Sequence, residues 1–161
     1  MRKKLNGALL YVVAIAIPLG VGILAAILTR DGMDIYKELK TPPLSPPAIL
    51  FPIVWTALYA LMGLSSALVY KNLARDGKSG RQGLAFYALS LVFNFFWSII
   101  FFGVRAFLFA FFWLIVMLVL IVLTIVKYRR VSPVAAYLQV PYLLWTAFAG
   151  YLNIGIWLLN R

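Results

Sequence analysis

Residues Thr41 to Tyr59 read TPPLSPPAILFPIVWTALY, and the fold is decided by the change of character halfway along. The first half holds Pro42, Pro43, Pro46 and Pro47. Each proline fixes φ and turns the residue before it away from the helical region, so Thr41–Pro47 reads as a stiff, extended arm. From Pro47 the chain runs to Tyr70 with no Asp, Glu, Lys or Arg. At ~1.5 Å per residue such a run crosses the ~30 Å of hydrocarbon in a bilayer. Proline is well suited to the first helical position. The arm therefore leads into a membrane-spanning helix that begins near Pro47 and carries Trp55 and Tyr59 one turn apart.

Outward from this stretch, four more apolar runs without an acidic or basic residue can be marked: Leu5–Leu28, Gln82–Gly103, Ala106–Val126 and Ser132–Asn160. They leave residues 29–46 as a long loop, a length typical of lids. The runs are continuous and do not alternate, which excludes a β-barrel and leaves helices as the way to satisfy the backbone in lipid. The expected fold is an all-α integral membrane protein, one domain over 1–161 built as a bundle of five transmembrane helices with spans 5–28, 47–70, 82–103, 106–126 and 132–160. Composition agrees. Of 161 residues 65% are hydrophobic and 12% charged, and the mean hydropathy of +0.98 lies outside the range of soluble domains. The first run follows basic residues as in a signal peptide, but it is too long for one and no small-residue cleavage pattern follows, so it reads as a retained helix.

Five spans put Arg2, Lys3, Lys4, Lys71, Arg75, Lys78, Arg81, Lys127, Arg129 and Arg130 on one side, ten cations against the five of Arg30, Lys37, Lys40, Arg105 and Arg161. The positive-inside rule then predicts a cytoplasmic N-terminus, an outer loop at 29–46 and an outer C-terminus, in a bacterial cytoplasmic membrane or its equivalent. Cations in short loops beside spans set topology, so the net charge of +11 does not argue for nucleic acid, and none is expected as a partner. There is no cysteine and no histidine. That removes thiol nucleophiles, Ser-His-Asp chemistry and the usual ligands of zinc, copper and haem iron; no metal site and no required cofactor are expected.

Within the spans, Ala14, Pro18, Gly22 and Ala26 make a small-residue ridge suited to close helix packing, with the partner helix left open. Ser90, Asn94 and Ser98 share one face of the third span beside Trp97, and an amide in hydrocarbon must bond a neighbouring helix or a ligand. The fourth span, almost without polar groups, is the candidate for the most lipid-exposed helix or a dimer face. In the fifth, Gln139, Tyr142, Thr146 and Asn153 fall on one face, and small Ala149 leaves room beside Trp145 one turn away. Aromatic and amide residues from three helices thus gather in the outer half of the bilayer under the proline arm, an arrangement for a flat, mostly apolar ligand. Tyr11, Tyr70, Tyr87, Tyr128 and Tyr137 lie near cytoplasmic helix ends and read as an aromatic belt.

Four ordered motifs resemble the TspO/MBR family of bacterial tryptophan-rich sensory proteins and mitochondrial translocator proteins. They are Tyr36-x-x-Leu39 with Pro42 and Pro46-Pro47, FPIVWTALY at 51–59, NFFW at 94–97 followed by Phe101-Phe102, and PYLLWTAFAGYLN at 141–153. The resemblance implies five helices, a homodimer, and binding of porphyrins such as protoporphyrin IX or of drug-like small molecules. It assigns the ligand-binding residues as Tyr36, Pro46, Phe51, Trp55, Tyr59, Asn94, Trp97, Phe101, Trp145 and Ala149. Trp55 and Trp145 match the indoles implicated in light-dependent porphyrin breakdown and are the only catalytic candidates. Ile35 and Leu44 stand where the family has loop tryptophans, and Thr41 where a lysine usually precedes the first loop proline. These departures bear on lid contacts and on how a porphyrin carboxylate is held. The sterol motif of animal members is absent from the last span. The expected function is a tetrapyrrole-binding receptor or regulator, with a transporter of porphyrins or lipid-like amphiphiles and a light-dependent porphyrin-degrading enzyme as alternatives.

Overall fold

The computed structural model describes residues 7–161, all helix, turn or loop with no strand. The expected start of the first span at Leu5 and the basic Arg2, Lys3 and Lys4 lie outside these residues. Five helices are long and apolar enough to cross a membrane: α1 (Gly7–Leu28), α3 (Leu50–Lys71), α4 (Gly77–Ser98, extended to Val104), α5 (Phe107–Val131) and α6 (Pro133–Leu159). A short helix, α2 (Gly32–Glu38), lies in the loop between α1 and α3. Around the bundle α1 packs on α3, α3 on α6, α6 on α5, α5 on α4 and α4 back on α1.

Local chemistry sets the boundaries. α3 begins at Leu50, three residues later than expected, because the chain leaves Pro47 through tight turns in which Leu50 and Phe51 N–H groups bond the Pro47 and Ala48 carbonyls. α4 begins five residues earlier than its apolar run. Asp76 caps it, accepting a bond of 3.0 Å from the Ser79 N–H, so the polar turn Gly77–Arg81 is helical although it lies outside the hydrocarbon. Hydrogen bonding from Ser79, through its side chain first and its backbone N–H second, holds the Asp76 carboxyl below its usual pKa. α5 likewise carries its polar end on to Val131. Between α5 and α6 a single residue, Ser132, makes the corner. Its hydroxyl accepts from the Ala135 N–H at 3.3 Å, and Pro133 occupies the first turn.

Two sequence expectations are corrected. The helix most exposed to lipid is α1, with only Pro18 and Ala25 buried, whereas α5 buries Ala110, Leu114, Met117, Ile121 and Tyr128 on one face. Tyr87 and Tyr128 are core residues and no part of an aromatic belt; Tyr70 and Tyr137 remain exposed. Position near a helix end cannot distinguish these cases, because the side of the helix decides. The small-residue ridge of α1 finds its partner within the same chain. Gly63 of α3 is pressed on the backbone of Ala14 and Ile15, and Gly22 on the ring of Tyr59, so that a Cβ at either glycine would overlap its neighbour.

The arm also differs from the extended strut expected. Pro42-Pro43-Leu44-Ser45 is a turn closed by a 3.3 Å bond from the Ser45 N–H to the Pro42 carbonyl, with Leu44 left-handed at φ 67°. Its prolines explain this: Pro43 favours the second position of such a turn, and the left-handed third position falls to an exposed leucine. Beyond the turn the arm is tied to α6. The Asn160 amide donates to the Lys40 carbonyl at 2.8 Å and accepts from its N–H at 3.0 Å, and the Tyr151 hydroxyl donates to the Pro43 carbonyl at 2.7 Å. Gly155 lets Pro42 lie flat on the helix, since a Cβ there would come 2.6 Å from its ring.

Candidate functional site

Under the arm, α1, α3, α4 and α6 enclose a cavity of about 330 Å³, a volume at the lower end of those that hold small-molecule ligands. Its walls are aromatic. Trp55 and Tyr59 stack on one another from α3 with ring centroids 5.5 Å apart. Trp145 and Ala149 face them from α6, Trp97 and Phe102 from α4, and Phe51 closes the arm's end, its ring edge-on to Trp145 at 6.0 Å. Ile23 and Ala26 of α1 and Pro52 and Thr56 of α3 line the same cavity and are exposed, so it opens sideways at the α1–α3 seam, where lipid would lie.

The polar groups around this space serve mostly to fix the aromatic rings. The Tyr59 hydroxyl donates to Asn94 Oδ1 at 2.7 Å. Trp97 Nε1 donates to Asn153 Oδ1 at 3.1 Å, and Asn153 Nδ2 donates in turn to the Phe107 carbonyl at 2.7 Å. The hydroxyls of Thr29, just past the end of α1, and of Thr56 in α3 donate to the carbonyls four residues back. Among the described residues no Asp, Glu, Lys or Arg lines the cavity. Its surface is therefore one for flat apolar faces.

Of the ten residues assigned from the sequence, Phe51, Trp55, Tyr59, Trp97, Trp145 and Ala149 line this cavity. Tyr36 and Phe101 line a small cleft of about 20 Å³ beside it, sharing Phe51, Trp97 and Ala149. Pro46 and Asn94 line neither and act from behind. The Pro46 carbonyl accepts from the Tyr36 hydroxyl at 3.3 Å, and Asn94 orients Tyr59. Burial at this contact raises the Tyr36 pKa above the usual tyrosine value. Sequence reasoning missed the whole α1 wall and Met33 of α2. The signal existed in the Gly22 and Ala26 ridge, which serves packing at Gly22 and leaves room for the cavity at Ala26.

A model of the TspO/MBR family matches residues 14–158, which takes in every element of this site. The chain belongs to the TspO/MBR family. Among relatives of this family, it is similar to the translocator protein of Ovis aries (37% identical over 131 residues, 81% of this chain and 78% of the relative). It is similar also to the tryptophan-rich protein TspO of Chlorobaculum tepidum (39% over 127 residues, 78% of each chain). The tryptophan-rich sensory protein of Cereibacter sphaeroides is 38% identical over 125 residues, 78% of this chain and 76% of the relative. As a TspO/MBR protein the chain is an integral membrane protein, in keeping with its five apolar helices.

Proposed function

We propose that this TspO/MBR protein is a membrane receptor or regulator that binds a tetrapyrrole of the protoporphyrin IX type in the cavity beneath the proline arm. One observation carries the reading: Trp55, Tyr59, Trp97 and Trp145 wall a single cavity that, among the described residues, no Asp, Glu, Lys or Arg lines. Such walls stack on a macrocycle and offer a metal at its centre neither a histidine nor a cysteine ligand. The side opening at the α1–α3 seam suits a ligand that partitions into the bilayer. It also supports transport of a porphyrin or similar amphiphile as a second reading, one that the name translocator in the ovine relative favours.

The test is a titration of purified protein with metal-free protoporphyrin IX, ferric haem and a sterol. Metal-free porphyrin is expected to bind at least as tightly as haem, and the sterol weakly. Haem binding more than tenfold tighter, with the spectrum of a strongly ligated iron, would overturn the assignment of these walls as a metal-free site. We further propose that the N-terminus is cytoplasmic, that the arm and C-terminus face outward, and that the membrane is a bacterial cytoplasmic one. Ten cations against five support this orientation. A homodimer is proposed on the family resemblance alone.

A further inference from the structure

A second groove lies at the arm's end of the bundle and shares no residue with the aromatic cavity. It is shallow, about 510 Å³, and runs between the start of α5 and the end of α6, with Arg105, Phe109, Phe112 and Trp157 among its lining. The guanidinium of Arg161 sits over the Trp157 ring, 5.3 Å from its centroid, and so brings a second cation to the groove's edge. Neither arginine has a carboxylate within salt-bridge distance among the described residues. Below this cationic rim, Phe109 and Phe112 are 56% and 60% exposed on α5, one turn apart, facing where acyl chains would run.

Arg105 is costly where it stands. It leaves the π-helical end of α4 in the left-handed region, φ 58°, where glycine is the residue without a steric penalty. A cation at a strained position, lining a groove, points to a use for its charge. The first turn of α5, which Ala106 does not cap, adds partial positive charge at the same place. We propose that the groove binds an anionic phospholipid, its phosphate held by Arg105 and Arg161 and its chains lying on Phe109 and Phe112. Two guanidinium groups with no acid between them would repel the cationic end of a zwitterionic headgroup, so the commitment is to a net anionic lipid such as phosphatidylglycerol.

The test places the protein in phosphatidylcholine vesicles containing a rising fraction of acyl-brominated phosphatidylglycerol or acyl-brominated phosphatidylcholine. Tryptophan quenching is recorded for wild type and Trp157→Phe, whose difference isolates Trp157. Quenching of Trp157 is expected at a lower mole fraction of the anionic lipid, with about fivefold of the preference lost per arginine in Arg161→Gln and in Arg105→Gly. Arg105→Gly removes the charge while relieving the backbone, so it is expected to melt no lower than wild type and keeps the outcome separate from misfolding. Equal quenching by the two lipids in wild type would overturn the proposal, as would an unchanged preference in the Arg105→Gly, Arg161→Gln double variant.

Discussion

The roles of individual residues divide into those that face the cavity and those that hold the facing groups in place. Asn94 is the clearest case of the second kind. An amide in the third span had to find a partner or a ligand, and it finds Tyr59, which in turn lies against Trp55. What the sequence could not show is that the amide is turned away from the cavity, because helical spacing gives the face of a residue and not the direction of its side chain. The two indoles that both line the cavity allow stacking to be separated from redox chemistry. If Trp55 and Trp145 serve as walls, phenylalanine at either position keeps a stacking surface and costs at most about 1–2 kcal/mol of affinity. If they exchange electrons with an excited porphyrin, Trp→Phe leaves binding nearly intact yet abolishes light-dependent loss of the porphyrin absorbance. Binding and photobleaching measured together on each variant distinguish the two. As a receptor, the protein is predicted to bleach porphyrin no faster than empty detergent micelles do.

At the scale of elements, the arm was legible as a feature and not as a conformation. Four prolines announced stiffness, but the turn at Leu44 and the small helix α2 depend on contacts with α4 and α6 that lie far away in the chain. Gly32 of α2 packs on Phe102, and Asn160, at the C-terminal cap of α6, reaches Lys40 across 120 residues of sequence. The ties to α6 predict that the arm gates the cavity. Asn160→Ala, which removes both bonds to Lys40, is expected to raise the rate of porphyrin dissociation several-fold with little change in helix content. An unchanged rate in stopped-flow displacement would show that the arm does not limit exit. The helix cap at Asp76 makes a separate prediction. Its carboxyl is lowered in pKa in the folded state by the Ser79 bonds, so the stabilisation is present above the unfolded value of about 4 and disappears as pH falls through the folded value. Asp76→Ala is therefore expected to melt below wild type at neutral pH, the gap narrowing under acid; thermal melts followed by circular dichroism across pH 3–7 would reveal it.

For the whole molecule, the five spans could be read from hydropathy because lipid imposes one backbone solution on any continuous apolar run. The order of helices around the bundle could not. Apolar faces in a bilayer carry no burial signal, since lipid tails and protein interior are equally dry, and for that reason hydropathy alone points to α5, not α1, as the most lipid-exposed helix. The small-residue ridge of α1 showed that a close neighbour existed; only the structure identifies it as α3 and reveals that the same seam opens the cavity to the membrane. The charge bias predicts orientation: in intact cells a cysteine at Asp34, in α2, is expected to react with an impermeant maleimide and one at Lys78, at the start of α4, is not. The opposite pattern would invert the topology.

The central claim is that the aromatic cavity is where ligand binds. It is tested most directly by titrating metal-free protoporphyrin IX into wild type, Trp55→Ala and Trp145→Ala, each confirmed as folded by its helix content. Removing either indole opens the cavity and strips away stacking area. The account predicts a dissociation constant at least about tenfold weaker in both variants. Wild-type affinity in both would place the porphyrin elsewhere on the protein and contradict it.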